Sequence, residues 1–172
     1  MKTSDLTTTE YFQYYKQYID LVGDSSMLVA LESGKTTTQQ FFKSIPVSKL
    51  DFRYAKGKWT PKDILLHLID TERVFTYRAL YFARHENSDL EGFDENVFAQ
   101  NGAGNDRSID ALLDEYVTLR NATVALFESF TEAQMKQTGN ANGNVLSVRA
   151  CGFIICGHEI HHSNVISERY LT

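Results

Sequence analysis

The run Trp59-Thr60-Pro61-Lys62-Asp63 opens a helix that nothing interrupts as far as about Arg84. Thr60 can accept a hydrogen bond from the first free amides. Pro61 suits the first helical position, where no amide hydrogen is needed, and Asp63 sits at the positive end of the helix dipole. From there Ile64, His67, Leu68, Thr71, Phe75, Arg78 and Phe82 recur on one broad face. A helix of that length needs other long elements laid against its apolar face. Two prolines and ten glycines in 172 residues favour further long helices over many short strands.

Three such helices are predicted. One runs over about 26–44, capped by Asp24, Ser25 or Ser26, with Leu28, Leu31, Phe41 and Phe42 on its apolar side. Gly34 and three threonines weaken its middle. Another runs over about 108–130, with Leu112, Leu113, Tyr116, Leu119, Val124, Leu126 and Phe127 as core candidates, and the last over 147–169 with Ser147 as its cap. Residues 9–19, rich in tyrosine, read as an N-terminal arm or short helix packed on the core and ending at Gly23-Asp24. Residues 85–107 show no period and exceed the usual helix connection, which predicts a crossover or functional loop whose Asp94 and Glu95 are solvated charge. Thr131-Glu132 predicts a short turn and residues 139–144 a loop. The expected architecture is all-α, a four-helix bundle with an N-terminal arm and one long loop, with residues 1–172 as a single domain.

Composition narrows the function. Hydrophobic residues at 42% and charged residues at 23% are ordinary for a globular protein. Seventeen basic against 22 acidic residues, net charge −5, and no basic stripe argue against direct nucleic-acid binding. No run reaches the roughly 18 apolar residues of a membrane span. Residues 1–9 are polar, without the apolar run of a signal sequence, so the cytoplasm is the expected location. Cys151 and Cys156, five apart on a helix, point in different directions and read as buried thiols.

Gly157-His158-Glu159-Ile160-His161-His162 carries three of the five histidines. His158 and His162 are four apart and share one helix face, an arrangement that can bind one metal ion from a rigid backbone. The stretch also fits the H-E-x-x-H pattern of zinc proteases, with Glu159 as general base. Those enzymes take a further ligand well downstream, and only ten residues follow His162 here, so a third ligand has to come from upstream. His67, pointing inward from the opposite helix, is the candidate. His161 is spaced to pair with His158 as well, and spacing alone does not separate it from His162. Imidazole suits zinc, nickel, iron or copper. His85, at a helix end, reads as a solvated cap.

The segments Trp59 to Arg73 and Gly157 to His162, the latter followed by Glu168-Arg169-Tyr170-Leu171, resemble the DinB/YfiT-like superfamily in its G-H-E-x-H-H branch. Tyr54-Ala55-Lys56-Gly57-Lys58 and Tyr77-Arg78-Ala79-Leu80 add to the resemblance. It implies an up-down-down-up four-helix bundle, frequently a homodimer, in which residues 85–107 form the crossover. It also implies a divalent metal, zinc or nickel first among candidates, on His67, His158 and His162. Relatives of this kind include enzymes that join a low-molecular-weight thiol to an electrophile, a mycothiol-dependent isomerase and metal-dependent hydrolases.

The expected function is therefore metal-dependent thiol S-transfer to a small electrophile. The alternatives are a metal hydrolase and a non-enzymatic, stress-related dimeric module. Glu159 is expected as an interhelical or solvent-facing ion-pair residue before a base, and Arg78 as one half of a buried salt bridge before an anion-binding group.

Overall fold

The computed structural model describes residues 1–85 and 88–172. In chain order the first half holds α1 (Lys16–Ile19), α2 (Met27–Ser44), α3 (Val47–Leu50) and α4 (Pro61–Arg84). The second half holds β1 (Asp89–Leu90), α5 (Glu95–Asn101), α6 (Ile109–Glu128), α7 (Glu132–Met135), β2 (Thr138–Ala141), β3 (Asn144–Ser147) and α8 (Val148–Tyr170).

The long helices start where their caps start them. Thr60 and Asp63 form a reciprocal box: the Asp63 amide donates to the threonine hydroxyl at 3.0 Å, and the Thr60 amide donates to the carboxylate at 3.1 Å. Ser108 and Ser147 likewise accept from Ala111 and Ala150. Ser26 precedes α2 without a side-chain cap bond.

Helices α2, α4, α6 and α8 form an up-down-down-up bundle in which α4 packs on α6 and α8, and α2 packs on the same two. The core divides in two. Leu31, Phe75, Phe82, Phe127 and Phe153 fill one end, and Phe42, Leu65, Ile69, Leu112 and Tyr170 the other. Between them each long helix contributes polar or small residues at the same level: Gly34 and Thr38, Thr71 and Glu72, Arg120 and Thr123, His158 and Glu159. That polar layer holds the candidate site.

Two expectations are corrected. Residues 139–144 are not a loop but the heart of a β2–β3 hairpin. Asn142 and Gly143 both have positive φ, 54° and 72°, the turn in which an Asn-Gly pair matches the twist of the strands. Within 85–107, residues 86 and 87 lie outside the described residues; the remainder is partly regular. There β1 pairs in parallel with β2, and Asp94 caps α5 by accepting from Asn96 and Val97 rather than being only solvated charge.

The N-terminal arm is pinned at both ends. Tyr11 bridges to Leu146 beside the hairpin, and the Glu10 carboxylate pairs with Arg149. Farther on, α1 lies across α8, where Tyr18 is buried as expected. The close approach requires Gly157, because a Cβ there would fall 1.8 Å from the Tyr18 carbonyl oxygen. Cys151 and Cys156 are buried free thiols. Among the described residues no helix is long and apolar enough to cross a membrane.

Candidate metal centre

α4 and α8 face each other across the polar layer and bring together the histidines that sequence spacing singles out on each. His67 Nε2 lies 3.1 Å from His158 Nε2, and His162 Nε2 lies 3.0 Å from the same atom. One ring nitrogen from each of the three falls within 4.8 Å of the others. His161 stays outside this group; its ring stands edge-on to Tyr18 at 5.2 Å. His85 caps α4 from an exposed position, stacked on Tyr81.

The donor set suits a cation. Two contacts at one nitrogen cannot both be satisfied by protons that neutral imidazoles carry unless they share a single lone pair. Separations near 3 Å approach the roughly 3.3 Å between nitrogens that each lie 2.0–2.1 Å from a tetrahedral zinc. Burial lowers the His67 pKa to about 4 and that of His162 to about 3. His158 is pushed well below its ordinary value by burial first and by the neighbouring imidazoles second. All three are neutral at pH 7, the form that ligates. Thr71 Oγ1 lies 3.4 Å from His67 Nδ1; when Nδ1–H donates there, Nε2 carries the lone pair. The Trp59 ring rests on His67 at 4.7 Å between centroids and fixes its plane. His162 Nδ1 is buried without a hydrogen-bond partner among the described residues.

Glu159 takes no part in this group. Arg120 reaches it with Nη2 at 2.8 Å and Nη1 at 3.2 Å, and Tyr116 donates its hydroxyl at 2.6 Å. The same guanidinium grips Glu72 at 2.9 and 2.8 Å and the Leu31 carbonyl at 3.1 Å. Glu159 is thus the interhelical ion-pair residue expected. Sequence reasoning missed Arg120, Glu72 and the polar use of Tyr116. The available signal was that Arg120 falls four residues after Tyr116 and seven before Phe127, on the buried stripe of α6.

Gly34, read from sequence as a weak point of α2, is required here: a Cβ would lie 1.9 Å from Glu159 Oε1. Arg78 departs from expectation. It is buried, with its guanidinium 5.1 Å from the Phe75 ring centre and 5.9 Å from that of Phe93, and the expected carboxylate partner is not found among the described residues.

A cavity of about 290 Å³ opens over the three histidines, walled by aromatic rings from the arm, from α4 and from the segments on either side of it. Among the described residues its lining includes His161 and Glu95 but neither Arg78 nor any lysine.

The comparisons with known proteins agree with this fold. The family model described as DinB superfamily matches residues 30–166. YfiT from Bacillus subtilis, described as a probable metal-dependent hydrolase with an unusual four-helix bundle topology, aligns with TM-score 0.75 at 18% identity over 95% of this chain and 89% of its own. A mycothiol-dependent maleylpyruvate isomerase aligns with TM-score 0.67 at 11% identity over 95% of this chain, which spans 62% of that enzyme. A DinB-like protein from Bacillus subtilis aligns with TM-score 0.59 at 17% identity, over 84% of this chain and 88% of its own. No curated protein matches the sequence.

Proposed function

The chain belongs to the DinB superfamily, and from that premise we propose that it holds a divalent transition metal, zinc or nickel, on His67, His158 and His162 and transfers a small thiol to an electrophile. The observation that carries the choice of reaction is the position of Glu159. The carboxylate that a hydrolase of the H-E-x-x-H type would use as its base is held by Arg120 and Tyr116.

A bound divalent ion supplies Lewis acidity, which keeps a substrate thiol deprotonated at neutral pH without a protein base. The chain's own residues do the rest. The neutral histidines present lone pairs rather than protons. Trp59 and Thr71 hold the His67 ring in place. The aromatic walls keep bulk water from the electrophile, which favours sulfur over hydroxide as nucleophile. In the reaction a new carbon–sulfur bond forms, the bond to the leaving group breaks with its electron pair, and the thiol proton passes to solvent. A hydrolase is the second reading, favoured by the likeness to YfiT; water then replaces the thiol.

The test is the metal content of untagged protein beside that of His67→Ala and His158→Ala, followed by assays of electrophile consumption with and without added thiol. About one ion per chain, lost in both variants, with turnover only when thiol is present, supports the transferase. Turnover without thiol supports the hydrolase. No metal in the parent protein removes both.

A further inference from the structure

The cavity over the histidines carries a second signal that metal binding does not need. Six rings, from Tyr14, Tyr15, Tyr18, Trp59, Phe75 and Phe93, wall it. Among the described residues Glu95 is the one carboxylate in the lining, and no lysine or arginine lines it. Floor and mouth differ in exposure. His158 is 7% exposed at the floor, whereas Tyr14 is 55% exposed and Glu95 is likewise exposed at the mouth.

The rings that the arm contributes are held in fixed orientations and run from the exposed Tyr14 down to the buried Tyr18. Tyr14 stands edge-on to Tyr15 at 5.6 Å and to Tyr18 at 5.9 Å, and the hydroxyls of Tyr14 and Tyr18 hydrogen-bond at 3.1 Å. Arg78 already stands over Phe75 and Phe93, at 5.1 and 5.9 Å, so the rings left to a ligand are those of Tyr14, Tyr15, Tyr18 and Trp59. Aromatic faces are electron-rich, and several around one partly dry space attract an organic cation. A carboxylate beside them adds to that preference.

We infer that the cavity selects a ligand whose outer end is an alkylated or quaternary ammonium, caged by the tyrosines of the arm with Glu95 as counter-ion, while its inner end reaches the histidines. The mouth is the place for the positive end, because the carboxylate of Glu95 and the exposed ring of Tyr14 are there. The inference rests on the proposed reading of the histidines only for what happens at the inner end; recognition of the ammonium needs no metal.

Trp59 is the sole tryptophan and lines the cavity, so its fluorescence reports occupancy. The probes are choline, its uncharged isostere 3,3-dimethylbutan-1-ol, and the anion 3,3-dimethylbutanoate, titrated into full-length protein with and without added zinc. Choline is expected to bind about tenfold more tightly than the isostere, and the anion not to bind. Glu95→Gln and Tyr14→Leu, both at exposed positions, should each reduce the choline preference roughly threefold. No saturable response to choline, equal binding of the isostere, tighter binding of the anion, or a preference unchanged in both variants overturns the inference. Zinc uptake is measured on the same samples. Uptake without ammonium preference defeats this inference alone, and preference without uptake defeats the metal reading alone.

Discussion

Glu159 follows His158 in the chain, yet its carboxylate ends 2.8 Å from Arg120 Nη2 on another helix, while the His158 ring turns to His67 and His162. One guanidinium, 1% exposed, serves two carboxylates and a carbonyl. Its charge is held by that pairing: burial opposes it, but Glu159 and Glu72 raise the Arg120 pKa well above its ordinary value. Replacing Arg120 strands two buried carboxylates. Arg120→Met should therefore cost about 3–5 kcal/mol in urea denaturation. A cost below 1 kcal/mol would show that the network is hydrated and weak.

Glu159→Gln tests the division of labour on α8. The amide keeps the size of the side chain but gives up the charge that Arg120 and Tyr116 were arranged around, so a loss of about 1–3 kcal/mol is expected. Metal stoichiometry and turnover should remain. Abolished turnover at unchanged stability would instead make Glu159 the base.

The four long helices were legible because their signals are local. Thr60, Ser108 and Ser147 are caps that work through the next three residues, and the pairing of His158 with His162 needs only helix pitch. The position of His67 opposite them was legible because an inward histidine on a second long helix has few other places to go. What was missed depends on partners far away in the chain. The spacing of Arg120 puts it on the buried stripe of α6, but what it does there shows only when Glu72 and Glu159, 48 and 39 residues distant, are brought to it. Gly34 reads as a weakness until the space it leaves for Glu159 is seen. The linker elements are short and held by pairing across the fold, as β1 is by β2. The hairpin is different: Asn142-Gly143 was a local signal, hidden by reading a polar stretch as a loop.

Gly157→Ala sets helix propensity against packing. Within a helix the change is worth about 1 kcal/mol in favour of alanine. Here the new carbon would meet the Tyr18 carbonyl oxygen at 1.8 Å, a backbone atom that moves only if the arm moves. Overpacking against backbone costs about 1–3 kcal/mol, so a net loss of up to about 2 kcal/mol is expected. It should also loosen the Tyr18 ring from His158 and His161, each 5.2 Å away. Thermal melting and limited proteolysis of the arm check this; a raised melting temperature would mean that the arm is not docked there.

The Glu10–Arg149 pair gives the arm a pH dependence. Burial alone would raise the Glu10 pKa, but hydrogen bonds from Arg149 and the Thr7 amide outweigh it and bring it from 4.5 to about 2. A carboxylate whose pKa is depressed on folding contributes fully above its unfolded value and loses that contribution as pH falls toward the folded one. Glu10→Gln should be less stable than the parent by on the order of 3 kcal/mol at pH 7. That gap should narrow as pH is lowered from 4.5 toward 2. A gap constant across this window would mean that the pair contributes by packing rather than charge.

Trp59 provides the most direct reading of the histidine cluster, since its ring lies 4.7 Å from that of His67. A paramagnetic ion held by His67 would sit within a few ångströms of the indole and quench its emission. Nickel titrated into the parent protein should give saturable quenching that ends near one equivalent. His158→Ala removes the nitrogen that both other histidines approach, at 3.1 and 3.0 Å, and should abolish the saturable phase. Zinc, which is diamagnetic, should displace nickel and restore the emission, because both bind imidazole nitrogen. Quenching that rises without saturation, and equally in His158→Ala, would be collisional and would leave the three histidines a buried cluster with no ion.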